Sequence, residues 1–325
     1  MSKPNIFKYA TKELSQDAFI LWLLDHENIK YENVDPELKN CALRMIRKFF
    51  LLENKEMPDK IESFKISKQE KHIDIVLRIN EYMIIIEDKT ESKTHGNQLI
   101  RYREFAEKKV GKENVLAIFF KTHDQSNYQK EEKEGFKIFQ RSHLLDILQE
   151  SNVKNDIFND FKSYILGIEE SVNSFREISH SDWEKAQWIG FFKYLQIALN
   201  QGNWKYVANP SGGFMGFWWA RKKFENHSIY LQLEKQKLTL KIYSPDSKLS
   251  RQYRNSNYKY FLQKAKDNDI KFIKPSRFGI GKTMTILQKD YLVENLDGTV
   301  DLDKTLQHLE AVTSFIDSNA VNNIV

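Results

Sequence analysis

Apolar positions along the chain change their period, and each change marks a different element. Leu14, Ala18, Leu21 and Trp22 recur at helical spacing behind Thr11 or Ser15 as an N-cap, which predicts a first helix. The second helix is better punctuated. Asp35 supplies the cap, Pro36 the first helical position and Glu37 the first turn. Leu38, Cys41, Ala42, Met45, Ile46 and Phe49 then repeat along one buried face. After Pro58 the period falls to two. Residues 61–66 read as a strand, and residues 72–79 alternate strictly, with Ile73, Ile75, Leu77 and Ile79 on one face. His72, Asp74, Val76 and Arg78 occupy the other. Asn80-Glu81 forms a tight turn, and residues 82–86 are a nearly continuous apolar run, as in a strand covered on both sides. A helix over 96–109 and an apolar strand over 115–120 follow; that order is a crossover and predicts parallel pairing. A strand over 136–139 and a short helix over 142–149 complete this half.

The periodicity weakens over residues 167–180, which predicts a linker between a first domain, 1–166, and a second, 181–325. The second domain opens on a helix over 183–198 carrying Trp188, Phe191, Phe192 and Leu195. Strands over 204–208 and 214–219 flank Gly212-Gly213, and strands over 229–233 and 238–243 form a hairpin about Lys235-Gln236. Helices over 249–266 and 303–318 follow. The predicted fold is an α/β core with a mixed sheet flanked by helices, then a smaller α+β domain. Trp204, Tyr206, Phe214, Phe217, Trp218 and Trp219 read mainly as core of that second domain, since aromatics on strands usually pack inward.

Composition narrows the chemistry. Cys41 is the only cysteine among 325 residues, which excludes internal disulfides and argues against a thiolate-built zinc site. No apolar run reaches the ~18 residues of a membrane span, and Met-Ser-Lys-Pro-Asn lacks the apolar core of a signal peptide. A cytoplasmic protein without a membrane partner is the expectation. Net charge is +5, but residues 248–289 hold eleven Lys or Arg against two acids, a local balance of +9 that leaves −4 elsewhere. Such a block reads either as a solvated lysine-rich face or as a surface for a polyanion, nucleic acid being the commonest. Arg251, Arg254, Lys259, Lys264 and Lys266 interleave there with Tyr253, Tyr258 and Tyr260, so this helix is expected to track a nucleic-acid backbone. Gly279-Ile280-Gly281-Lys282-Thr283 resembles a phosphate loop only in part. Ser276 stands where the pattern requires glycine, and residues 284–287 read as strand rather than helix.

The informative chemistry lies at the first hairpin. With Asn80 and Glu81 as its loop, Ile79 opposes Tyr82 and Asp74 falls opposite Glu87. Opposed residues share a face with Cβ atoms about 5 Å apart, and Lys89 points to that face while Asp88 points away. Two facing carboxylates repel. A divalent cation would remove the penalty and Lys89 would relieve part of it; hard oxygen ligands select Mg²⁺ or Mn²⁺ over zinc. The alternative is a pair splayed to solvent at the strand ends and bridged by Lys89.

Asp74 followed by Glu87-Asp88-Lys89 at the end of an apolar strand resembles the signature of the PD-(D/E)XK nuclease superfamily, over about the first 150 residues. Glu13 matches a position near the first helix where many members carry another acid. Gln98 and Tyr102, one helical turn apart, resemble the RecB-like and related branches, and Glu13 to Phe19 with Trp22-Leu23-Leu24 resembles the opening of a bacterial branch. Ile73 replaces the motif's proline, a loss many members share and one that removes no ligand. The resemblance implies a restriction-endonuclease-like core and a Mg²⁺-dependent deoxyribonuclease, endonuclease rather than exonuclease, in phage defence or DNA processing. It implies Asp74, Glu87 and the carbonyl of Asp88 as metal ligands, and Lys89 as the group that orients water and offsets transition-state charge. Glu13 would hold a second ion or position water, and Gln98 and Tyr102 would contact substrate or Lys89. Three matters stay open: an RNA-directed nuclease, a non-catalytic DNA-binding sensor on the same fold, and a homo-oligomer.

Overall fold

α1 (Glu13–Leu24) forms where expected but turns a different face inward. Leu14 is 52% exposed and Ala18 is exposed, while Gln16, Asp17, Phe19, Ile20, Leu23 and Leu24 are buried. Residues 18–24 are apolar all round, so spacing alone does not select the inner stripe. Neither Thr11 nor Ser15 caps it; Lys12 occupies the cap position without a side-chain bond. α2 (Pro36–Leu52) follows its sequence closely. Asp35 accepts from the backbone N–H groups of Glu37 (2.8 Å) and Leu38 (3.4 Å), and the six expected apolar positions are buried.

β1 (Phe64–Glu70), β2 (Ile73–Ile79), β3 (Tyr82–Lys89), β4 (Val115–Lys121) and β5 (Lys137–Gln140) form one sheet in that order. β1–β2 and β2–β3 pair antiparallel, β3–β4 and β4–β5 parallel, so the sheet is mixed. β1 begins three residues later than the sequence suggests because Asn80 takes the earlier backbone groups. Its Oδ1 accepts from Glu62 N (2.8 Å) and Ser63 N (3.1 Å), and its Nδ2 donates to Lys60 O (2.8 Å). Asn80 also carries the positive φ of the β2–β3 turn, 49°. Asn80→Ala should therefore lower stability by about 1–3 kcal/mol, and Asn80→Gly should recover only the backbone part. Urea denaturation of both variants checks this: Asn80→Gly as stable as wild type would count against the side-chain bonds, and equal stabilities for the two variants would count against the backbone part.

α3 (Gln98–Val110) is the β3–β4 crossover, and α4 (Gln129–Lys133), α5 (Arg141–Gln149) and α6 (Asp156–Asn173) complete this part. The two faces of the sheet are separately covered. Ile75, Leu77, Ile84 and Ile86 pack with α1, α2, α5 and α6, whereas Val76, Met83 and Ile85 pack with Leu99, Tyr102 and Ala106 of α3. Ile73 joins the α3 side, so the expected alternation fails at the first residue of β2. His72, expected in the strand, is an exposed turn residue with φ 68°.

The structure describes residues 4–92, 94, 96–209, 212–246 and 248–320. Met1, Ser2 and Lys3 of the N-terminal stretch lie outside them. This computed structural model divides into two units, Met1–Glu169 and Glu170–Val325. The second holds α7 (Lys185–Ala198), β6 (Asn203–Val207), β7 (Phe214–Lys223), β8 (Ser228–Glu234), β9 (Lys237–Tyr243), α8 (Ser250–Asp267), β10 (Thr283–Asp290) and α9 (Leu302–Asn319). Its five strands form an antiparallel sheet in the order β10-β9-β8-β7-β6. Trp204, Phe217 and Trp219 are core, Phe214 and Trp218 are half-buried and Tyr206 is exposed. Among the described residues no helix is long and apolar enough to cross a membrane.

Candidate active site

The hairpin register is the one the turn predicts: Ile79 faces Tyr82 and the ladder runs to Ile75 opposite Ile86. The next step places Asp74 toward Glu87, and there the ladder bonds stop. Asp74 Oδ2 instead accepts the backbone N–H of Asp88 at 2.9 Å, so a side chain replaces the strand's own acceptor. Glu87 is fully buried on the α3 side, which excludes the pair splayed into solvent. Gln98 Nε2 donates to Glu87 Oε1 at 2.8 Å and to Tyr102 OH at 2.9 Å, and Tyr102 OH donates to the carbonyl of His72. Gln98 and Tyr102 thus brace Glu87 rather than reach Lys89.

Lys89 stands at the centre. Its Nζ lies 2.7 Å from Glu87 Oε1, 3.5 Å from Glu13 Oε2 and 3.6 Å from Asp74 Oδ2, and donates to Asp88 O at 2.8 Å. Glu13, in the first turn of α1, is itself held by Ser92 Oγ and by the N–H of Thr90 (3.3 Å). Asp88 faces the other side of the sheet, where Gln16 Nε2 donates to its Oδ1 at 2.5 Å and Thr122 Oγ1 donates to Gln16 Oε1 at 2.8 Å. Asp17 is buried beside them.

Burial and mutual repulsion dominate the electrostatics. Burial, reinforced by the charge of Asp74, pushes Glu87 up to about 8, against the pull of Lys89. Burial, then Asp74, raises Asp17 to about 6. Asp88 is raised well above the carboxylate range by burial and by Asp17. Burial works to lower Lys89, but the charges of Glu87, Asp74 and Glu13 outweigh it and hold its proton more firmly than usual. Burial alone would raise Glu13; the bond from Ser92 and the charge of Lys89 bring it below the usual range.

Among the described residues no three acidic, histidine or cysteine side chains converge closely enough to hold a metal ion as they stand. The donor chemistry nevertheless fits one. The oxygens of Glu87, Asp74 and Glu13 and the Asp88 carbonyl are all hard ligands, and they already gather about a cation, the ammonium of Lys89. Glu87 Oε2 is buried without a hydrogen-bond partner, an acceptor left over once Lys89 and Gln98 are served.

Four residues escaped the sequence reading. Gln16 and Asp17 interrupt the buried face of α1, and Thr122 follows β4. Lys121 sits in register with Lys89, is buried, and donates to Ser92 O at 2.7 Å, steadying the residue that holds Glu13. Burial lowers Lys121 to about 8. Adjacent polar residues inside an apolar helix, and a lysine ending an apolar strand, were the available signals. The other sequence candidates lie on α8 of the second unit: Arg251 and Lys259 are exposed, and Arg254 donates to Gly279 O at 3.0 Å.

A family model for the PD-(D/E)XK nuclease superfamily matches residues 4–197. No curated protein and no solved structure matches the chain.

Proposed function

Because the chain belongs to the PD-(D/E)XK nuclease superfamily, we propose that it hydrolyses phosphodiester bonds within DNA and depends on a divalent cation held by Asp74, Glu87 and the carbonyl of Asp88. The convergence of Glu87, Glu13, Asp74 and Asp88 O on Lys89 Nζ, at 2.7, 3.5, 3.6 and 2.8 Å, is the observation that carries this reading. Mg²⁺ or Mn²⁺ held there would supply Lewis-acid chemistry, making water a better nucleophile and offsetting charge on the phosphate.

The chain's own residues do the rest. Lys89 holds its proton, so it acts as a donor: it orients the attacking water and offers a charge to the phosphoryl oxygens as negative charge develops. Glu13 fixes the ammonium from the far side and positions water. Gln98, held by Tyr102, keeps Glu87 aimed at the same point. Asp74 and Lys89 meet on one peptide, since the N–H of Asp88 serves the first and its carbonyl the second.

Closed circular plasmid should be cut in Mg²⁺ or Mn²⁺, remain intact in EDTA, and remain intact with Asp74→Asn in either metal. A closed circle has no ends, so its cleavage also requires endonuclease action. RNA cleavage with the plasmid untouched would replace DNA as the substrate. Duplex binding without cleavage of either polymer would remove the catalytic reading.

A further inference from the structure

Two sets of cations in the second unit differ in their surroundings. Lys222, Lys237, Lys241 and Lys304 each pair with a carboxylate, from Asp317, Asp290, Glu234 and Asp301 respectively. Arg251, Lys259, Lys271, Lys274, Arg277 and Lys282 are each exposed or nearly so and make no ion pair among the described residues. These belong to α8 and to the segment that joins it to β10. Like charges gathered without counter-ions repel, and a polyanion relieves that repulsion.

The segment has a built interior. The Phe278 ring lies 4.7 Å from the Arg254 guanidinium, 4.9 Å from the Lys274 ammonium and 5.1 Å from Tyr258 in an edge contact. Arg254 also donates to Gly279 O at 3.0 Å. Arg254 is therefore committed to bracing the segment, a different use from the backbone contact its sequence position suggests. Arg251, three residues earlier, shares its side of α8, while Lys259 lies about 140° around the helix from it. Beyond the brace, Ile280 is 76% exposed at the tip. A Cβ added to Gly279 or Gly281 would meet nothing within 4 Å, so the tip stands clear of the protein on both sides of Ile280. Gly281 has φ 147°, a conformation that side chains rarely adopt.

We propose that residues 277–282, braced on α8 by Arg254 and Phe278, form a contact for duplex DNA. Arg277, Lys282 and Arg251 meet phosphates, and Ile280 enters the groove as an apolar wedge. The inference rests on the nuclease reading for its choice of polyanion. Its physical basis is the pairing of uncompensated cations with one projecting apolar side chain, the combination by which groove-inserting proteins hold phosphates and unstack a base step.

Binding of the full chain to a fluorescent duplex, in EDTA so that no strand is cut, tests it. The Arg277→Glu/Lys282→Glu double variant should bind at least about tenfold more weakly at 0.1 M salt, and its log K against log salt slope should flatten by about two. Ile280→Ser, at an exposed position that does not threaten folding, should weaken binding several-fold and leave the slope unchanged. Unchanged affinity and slope in the double variant overturn the proposal, as does a wild type that ignores duplex DNA but binds anionic phospholipid vesicles. Wild-type binding that depends on these residues, with no cleavage in Mg²⁺, upholds this surface while removing the catalytic reading, so the two can fail separately.

Discussion

Lys89→Ala is expected to lower the rate of DNA cleavage by at least about 10³-fold at saturating Mg²⁺, with the fold retained. Among the described residues Lys89 is the one side chain that pairs with Glu87, Asp74 and Glu13 together, so its loss removes the ammonium on which the three carboxylates converge. Lys89→Arg should rescue little. The ammonium is a compact charge seated 2.7 Å from Glu87 and 2.8 Å from the Asp88 carbonyl, and a planar guanidinium on a longer stem cannot occupy that seat. Single-turnover cleavage separates this from a binding defect, because duplex affinity in EDTA should change far less than the rate. Activity within tenfold of wild type in the alanine variant would place the charge-stabilising group elsewhere.

The second large effect is on stability. In metal-free solution the protein should become less stable as pH rises from about 5 to about 8. Glu87 releases its proton near 8 in the folded chain and near 4.5 when unfolded. Between those values the folded state binds more protons than the unfolded state, so unfolding is increasingly favoured as pH rises through the window. One such group gives a slope of up to about 1.4 kcal/mol per pH unit. Asp17, raised to about 6, adds in the same direction over the lower part of the range. Glu87→Gln removes the ionisation and should flatten the profile while raising stability at pH 8, although it removes a ligand. Mg²⁺ should stabilise wild type more at pH 8 than at pH 5. Urea titrations in EDTA at intervals across this range would show it, and a flat wild-type profile would mean that Glu87 is already ionised at pH 5.

The first hairpin was readable from sequence because its information is local. A two-residue loop sets the register, and the register sets the faces toward which Asp74, Glu87 and Lys89 are carried. The parallel pairing of β3 and β4 was equally legible, since a crossover helix permits little else. What stayed hidden was long-range. The inner face of α1 is chosen by partners distant in the chain: Gln16 is buried because Asp88 and Thr122 engage it, and neither lies near it in sequence. α6 was missed: its buried Phe158, Phe161 and Ile165 drew no reading, and its last turns fall where a linker over 167–180 was expected. The late start of β1 follows from one asparagine side chain eighteen residues downstream of Glu62, which no strand period reports. The cations of the second unit were legible as a group, but which of them is spent on bracing is a property of the folded segment alone.

The alternation of Glu87, Asp88 and Lys89 has a further consequence, for the sheet at this point is a wall one residue thick. Glu87 and Lys89 look into one room and Asp88 into the other, yet all three hang from the same short length of backbone. Whatever disturbs the rear room must therefore be felt in the front one. A screen for lost cleavage would return substitutions at Gln16 and Thr122, which stand behind the wall, beside those at Lys89. Drift at such positions would look like selection on catalysis, though its origin is the carpentry of the partition.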